Sequence, residues 1–260
     1  MKKRIAIKIG SNVLALKEGG LDLTRIKQLV SQVSALHRQG FEIIMISSGA
    51  VAAGRALLSD DKLDAVSARQ LFSAIGQAKL INHYHEFFAK ENILCGQVLT
   101  TKESLGTRSH YLNQRNCMEV MLQHGVVPIV NENDTISVTE LMFTDNDELS
   151  GLVAEMVEAE ALVILTNVDG VYDGPPDDPA SKVIPRILPG EDLKNRISAK
   201  KTNIGRGGMI SKYAVASRLS EQGIRVIITH GNRDNILPEV LNNPARTPHT
   251  EFVPAAVHQD

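Results

Sequence analysis

Acidic and amide side chains crowd the stretch Asn131–Gly151, NENDTISVTELMFTDNDELSG, where Asn131, Glu132, Asn133, Asp134, Asp145, Asn146, Asp147 and Glu148 fall close together. The stretch follows VVPIV, an apolar, β-branched run that reads as a buried strand. Polar groups just past such a strand point into solvent or into a crevice, and in open α/β sheets that crevice is where ligands bind. A connection rich in turn residues has the same composition, so the stretch alone leaves both readings open. Two lysines could complement it. Lys8 comes near the end of the short apolar run Arg4–Ile9, before Gly10-Ser11-Asn12. Lys212 comes at the end of Gly205-Arg206-Gly207-Gly208-Met209-Ile210-Ser211-Lys212. Glycines ahead of a helix, with a lysine one turn in, suit a polyphosphate. This is not a Walker loop, because no glycine directly precedes Lys212 and no strand leads into the run.

A third set of small residues, Ser48-Gly49-Ala50-Val51-Ala52-Ala53-Gly54, follows the apolar run Phe41–Ser47. Small residues there let an anion approach the backbone, and they equally let a helix pack closely on a strand. Ser48 adds a hydroxyl, but no GxSxG elbow with a nearby base surrounds it, so a serine nucleophile is not expected. Asp145-Asn146-Asp147 lacks the alternating spacing and following glycine of an EF-hand loop. His83 and His85 are two apart in a helical pattern and do not share a face, which argues against a metal pair.

Positioning these groups requires strands and helices in alternation. Strands are expected at Arg4–Ile9, Phe41–Ser47, Ile93–Leu99, VVPIV, Ala161–Leu165 and Arg225–Thr229. Thr24 is the expected cap of a helix with Ile26, Leu29, Val30, Val33 and Leu36 inward, ended by Gly40. Further helices are expected over Ser67–Phe88 with Leu71, Ile75, Ala78, Tyr84 and Phe88 inside, over Asn113–His124, over Glu148–Glu158, and from the glycine run through Leu219. Gly174–Pro179 reads as a surface loop, and the end of the chain as a short helix and a tail. The alternation predicts an α/β fold with a mainly parallel central sheet sandwiched between helices in three layers.

Composition narrows the classes of function. The 260 residues are 43% hydrophobic, enough for one large domain or two intimate lobes. A formal net charge of -2 gives no reason to expect a nucleic acid or an anionic membrane as partner. Cys95 and Cys117 are the only cysteines and form no CxxC pair, as suits a reducing cytoplasm rather than a disulfide framework or thiolate zinc site. No apolar run approaches the roughly 20 residues of a membrane span.

In this order, IKIGSNV, SSGAVAAGR, Gly76-Gln77, GQVLTT at Gly96–Thr101, NQRN at Asn113–Asn116, VPIVNEND, DNDELS, LTNVDGVY and GGMISK together resemble the amino acid kinase family. VNEND followed by DND is the most specific part. It is similar to the members that phosphorylate the γ-carboxylate of free L-glutamate with ATP and Mg²⁺, the first step of proline biosynthesis. The resemblance implies an eight-stranded sheet in one kinase domain spanning 1–260, with an acceptor-binding N-terminal lobe over about 1–160 and an ATP-binding C-terminal lobe over about 161–260. It also implies a homo-oligomer, dimer or tetramer. The chain ends near Asp260, so the PUA domain that follows in many of these members is not expected here.

Carried over residue by residue, the resemblance makes Lys8 and Lys212 the cations on the transferred phosphoryl group, with Asp147 holding them and Asp145 and Asn131 close by. Ser48, Gly49, Asn131, Asp134 and Asn146 would hold the acceptor. Lys8, Thr166, Asn167, Arg206, Gly207, Gly208, Met209, Ile210, Ser211 and Lys212 would meet ATP. Asn167 stands where an aspartate commonly follows this threonine, and Arg206 where a threonine precedes the glycines. Mg²⁺ would be carried mainly by the nucleotide phosphates. The chemistry agrees, because a carboxylate acceptor is already ionised and needs alignment and neutralising cations rather than a strong base. Kinases of the same fold acting on acetylglutamate, aspartate, carbamate or uridylate, and a non-enzymatic ligand-binding member, are the rival readings. The acids around Asp134 favour a substrate with a free ammonium.

Overall fold

Strands that are apolar on both faces have to be covered on both, and the computed structural model places them so. It describes residues 3–58, 62–136, 146–193 and 208–256. Strands β1 (Arg4–Ile9), β2 (Glu42–Ile46), β3 (Cys95–Thr100), β4 (Val127–Glu132), β5 (Ala161–Thr166), β6 (Arg186–Ile187), β7 (Arg225–His230) and β8 (His249–Phe252) form one sheet in the order β3-β4-β2-β1-β5-β7-β8-β6. All pairings are parallel except β7 with β8. The helices are α1 (Ser11–Leu14), α2 (Leu23–Arg38), α3 (Ala50–Arg55), α4 (Ala65–Lys90), α5 (Lys102–Gly106), α6 (Arg108–Gln123), α7 (Asn146–Met156), α8 (Met209–Glu221) and α9 (Ile236–Asn242).

Side-chain alternation along the strands divides the core in two. Ile5, Ile7 and Ile9 of β1 pack with Ile26 and Leu29 of α2, Leu80, Tyr84 and Phe88 of α4, and Ile236 of α9. Ala6 faces the other way, toward Met118 of α6, Val153 of α7 and Leu219 of α8. By the same two-residue period Lys8 must point to the α7 and α8 face. The strand therefore aims its one charged interior residue at two particular helices.

Several local expectations are corrected. Gly10 leads directly into a helix: Ser11 and Asn12 begin α1. The cap of α2 is Asp22, whose carboxylate accepts from the Arg25 amide, and Thr24 already lies inside the helix. Gly40 does end that region at a φ of 89°. On α4 the buried stripe is Phe72, Gly76, Leu80, Tyr84 and Phe88, whereas Leu71 and Ile75 are half-buried and Ala78 is exposed. The reason is the passage of α3. A Cβ on Gly76 would lie 1.7 Å from the Ala50 carbonyl oxygen, and one on Gly54 would lie 1.9 Å from that of Phe72. The glycines thus mark the line of closest approach, and the larger residues flank it. Helix α6 begins at Arg108, ahead of the expected Asn113. The end of the chain adds β8, and β6 precedes it. Lys8 is withdrawn from water, since β1 lies between β2 and β5 and the residue is 5% exposed.

Candidate active site

The carboxyl end of β1 brings Lys8 to the start of α7, where Asp147 sits in the first helical turn with no solvent exposure. The inner stripe of α7 continues through Gly151. A Cβ there would lie 2.8 Å from Val215 of α8, so the glycine lets the two helices close together. Val215 is three residues after Lys212, on the same helical face. Close packing at Gly151 therefore sets Lys212 beside Asp147.

The resulting cluster is tight. Lys8 Nζ lies 2.5 Å from Asp147 Oδ1, and Lys212 Nζ donates to Asp147 Oδ2 at 2.9 Å. Both lysines are buried. Ser211 Oγ also donates to Asp147 Oδ2, at 2.9 Å. Burial alone would push the Asp147 carboxyl up, but the two ammonium groups outweigh it and hold it down at about 2. Asp147 is thus ionised at neutral pH and holds two cations from distant parts of the chain at one point, where they can close on the oxygens of an anion.

A second group of contacts starts one residue earlier. The Asn146 amide donates to the Ser47 carbonyl at 2.7 Å, and it lies 3.1 Å from both Ser48 Oγ and Asn131 Oδ1. Asn131 donates to Gln77 Oε1 at 2.9 Å, tying the end of β4 to α4. Ser47 is fixed in turn by the buried Tyr84 hydroxyl, 2.9 Å away, whose ionisation burial pushes up. Gly49 adopts a φ of 99°, left-handed backbone that disfavours any side chain, and turns the chain from Ser48 into α3. Asn131 and Glu132 still belong to β4, so the expected strand VVPIV is longer than its apolar part. Asp134 follows, 7% exposed, with its carboxylate against Arg69.

On the other side of Lys8 the β5 strand ends at the buried Thr166, and Asn167 follows it, with the Thr166 hydroxyl 3.4 Å from Asn167 Oδ1. Gly208 caps α8, and Met209, Ile210, Ser211 and Lys212 form its first turn. Arg206 and Gly207 lie outside the described residues, as does Asp145. The structure thus joins Lys8, Asp147, Ser211 and Lys212 in one cluster and Ser48, Asn131 and Asn146 in its neighbour. Thr166 and Asn167 lie at the end of β5, beside β1.

Residues 3–230 match the model of the amino acid kinase family. The chain belongs to the amino acid kinase family. A glutamate 5-kinase of Bacteroides thetaiotaomicron is 60% identical over 253 residues, covering 97% of this chain and 70% of that protein. The glutamate 5-kinase of Chlorobaculum tepidum is 45% identical over 242 residues, 92% of this chain and 66% of that protein. The chain spans about two thirds of the length of these curated relatives. Among solved structures, the carbamate kinase of Giardia lamblia bound to AMP-PNP superposes with a TM-score of 0.69 at 17% identity, covering 97% of this chain and 98% of that one. The UMP kinase of Ureaplasma parvum gives 0.65 at 17% identity, covering 97% and 99%. The family fold is therefore the eight-stranded, mainly parallel sheet described above.

Arg69 escaped the sequence reading. It sits on α4 eight residues before Gln77, with Ser73 midway, and spacings of four repeat a helical face. That face meets the end of β4, which is the signal that could have drawn attention to it. Glu132, read only as one acid among several, is the second carboxylate that Arg69 engages, at 2.8 Å.

Proposed function

We infer that this family member transfers the γ-phosphoryl group of ATP to the γ-carboxylate of L-glutamate, giving L-glutamyl 5-phosphate and ADP. This is the activity its curated relatives are named for, and it is the opening reaction of proline biosynthesis. The observation that carries the mechanism is the meeting of Lys8 and Lys212 on Asp147, beside the carboxyl end of β1. An oxygen of the acceptor carboxylate attacks the γ-phosphorus while the bond to the bridging oxygen of ADP breaks. The acceptor is already ionised, so no proton has to be removed. Lys8 and Lys212 stabilise the charge that spreads over the transferred group, and Asp147 keeps both in place before the substrates arrive.

Ser48, the Gly49 backbone and the linked amides of Asn131 and Asn146 orient the acceptor carboxylate. Asp134 receives the substrate ammonium, which cannot lose its water without a countercharge. Thr166, Asn167 and the run from Arg206 to Lys212 receive the nucleotide. Among the described residues no three His, Cys, Asp or Glu side chains converge, and Asp147 is committed to the lysines. Mg²⁺ would be carried mainly by the nucleotide phosphates, where it would neutralise their charge. No described helix is long and apolar enough to cross a membrane. The resemblance to the family is what suggests a cytoplasmic homo-oligomer.

The test is turnover with ATP, Mg²⁺ and a panel of glutamate, acetylglutamate, aspartate, carbamate and uridylate, with acyl phosphates trapped as hydroxamates. Hydroxamate from glutamate and not from acetylglutamate supports the reading. Preference for any other member of the panel, or ATP binding with no turnover at all, removes it.

A further inference from the structure

Arg69 stands among acids at the outer end of the acceptor group. Its Nε lies 2.6 Å and its Nη2 2.5 Å from Asp134 Oδ1, and Nη2 also reaches Glu132 Oε2 at 2.8 Å. The third nitrogen, Nη1, makes no hydrogen bond to any described residue, and the side chain is 19% exposed. Glu132 and Asp134 are both buried, and they border a cavity of about 450 Å³ against Ser73 and Gln77 of α4. Asn131, the chain neighbour of Glu132, accepts from Asn146 at the far end of the same group, and Asn146 directly precedes Asp147, so a continuous chain of contacts leads from Arg69 to the two-lysine cluster.

The head of a free α-amino acid carries an ammonium and a carboxylate on one carbon. Its complement is a carboxylate and a cation held side by side. Asp134 and Arg69 are such a pair. Asp134 alone would accept any amine of suitable length, and the α-carboxylate of glutamate would arrive beside Glu132 and Asp134 with two like charges for neighbours. A guanidinium offers five N–H groups in a planar fork, so one edge can remain on the acids while another turns to a ligand.

We propose that Arg69 binds the α-carboxylate of the acceptor through Nη1 while Asp134 takes its ammonium. The pair thereby selects an α-amino acid over a simple amine or a simple dicarboxylate. This assignment rests on glutamate being the acceptor.

The experiment uses the full chain with ATP and Mg²⁺, glutamate as substrate, and 4-aminobutyrate, which keeps the ammonium but lacks the α-carboxylate, as competitive inhibitor. In Arg69→Gln the glutamate KM rises by at least about thirtyfold, kcat changes far less, and the inhibition constant of 4-aminobutyrate moves by less than about threefold. Arg69→Lys keeps the charge but not the fork and loses about tenfold for glutamate alone. The ATP KM stays unchanged in both. Equal losses for glutamate and 4-aminobutyrate would make Arg69 a structural support of Asp134 and overturn the proposal. So would an unchanged glutamate KM.

Should Arg69→Gln fail to fold, Arg69→Lys and the wild-type protein carry the test. Glutamate α-amide, which lacks the α-carboxylate charge, then inhibits the wild type about a hundredfold more weakly than glutamate binds, and equal affinity refutes the role of Arg69. Absence of glutamate turnover in the wild type itself removes the reaction instead, which keeps the two failures apart.

Discussion

The ammonium of Lys8 lies 2.5 Å from a carboxylate oxygen of Asp147, and both side chains are withdrawn from water. A buried charge left without its partner is costly, by about 3–5 kcal/mol when one member of such a pair is removed. Asp147→Asn leaves Lys8 and Lys212 facing each other across a neutral amide. We expect a loss of stability of that size by urea denaturation, together with a fall in turnover of at least about a hundredfold. Full stability with normal turnover would show that the lysines do not depend on this carboxylate.

The same contact sets an acid limit. Asp147 has its folded pKa held at about 2, below its ordinary 3.8, so its stabilising effect is complete above about pH 4 and lost as pH falls toward 2. The loss amounts to about 2 kcal/mol over that range. In Asp147→Asn this component of the acid-induced loss is absent. Urea midpoints measured from pH 5 to pH 2 should therefore converge for the two proteins, and parallel curves would contradict the linkage.

On the proposed mechanism, Lys8→Ala and Lys212→Ala each remove a charge whose stabilising effect is greatest in the transition state. Each is expected to lower kcat by at least about a hundredfold, about 3–4 kcal/mol, with smaller changes in KM. The fold should survive, because Asp147 keeps one cation in either variant. Steady-state kinetics beside a melting curve checks this, and near-normal kcat would take that lysine out of the mechanism.

Gly76→Ala tests the scaffold. The added methyl would sit 1.7 Å from the Ala50 carbonyl oxygen and 2.5 Å from the Gly54 amide nitrogen, both backbone atoms that no rotamer change can move. Separating α3 from α4 is expected to cost at least about 1–3 kcal/mol in urea. It should also disturb Ser48 and Gly49, which lead into α3, and so raise the glutamate KM more than that for ATP. A stable variant with unchanged kinetics would mean that the helices can part freely.

How much of this was legible depended on the range of the interaction. The central strands announce themselves, because a strand covered on both faces is apolar nearly throughout, as IIMI and LVIL are and as IAIKI is apart from Lys8. The inward turn of Lys8 follows from strand period once Ala6 and Ile7 are assigned to faces, but which helices wait there is a tertiary fact. VNEND with DND pointed to the proposed acceptor site, yet nothing local says that Asn146 reaches Ser47, or that Arg69 reaches Asp134. β6, with two residues, and β8, with the polar alternation HTEF, carry too little apolar signal to stand out and are held by their neighbours. Asp22 outcompeted Thr24 as a cap, a difference of two residues that composition does not decide.

Asp134 carries the substrate assignment most directly. Free glutamate brings an ammonium into a crevice where Asp134 is 7% exposed, and that cation needs a carboxylate. Arg69 engages Asp134 Oδ1 through Nε at 2.6 Å and Nη2 at 2.5 Å, so the carboxylate is held in a fixed orientation. Asp134→Asn keeps the shape and removes the charge. It also leaves Arg69 paired only with Glu132 among these acids. We expect glutamate binding to weaken by about 2–5 kcal/mol, seen chiefly in KM, while the ATP constant barely changes. Acetylglutamate has no cation to lose, so it should be poor with both proteins and fall no further in the variant. Unchanged glutamate binding in Asp134→Asn, or a wild-type preference for the acetylated acid, would move the acceptor's amine away from Asp134 and take the free-glutamate reading with it.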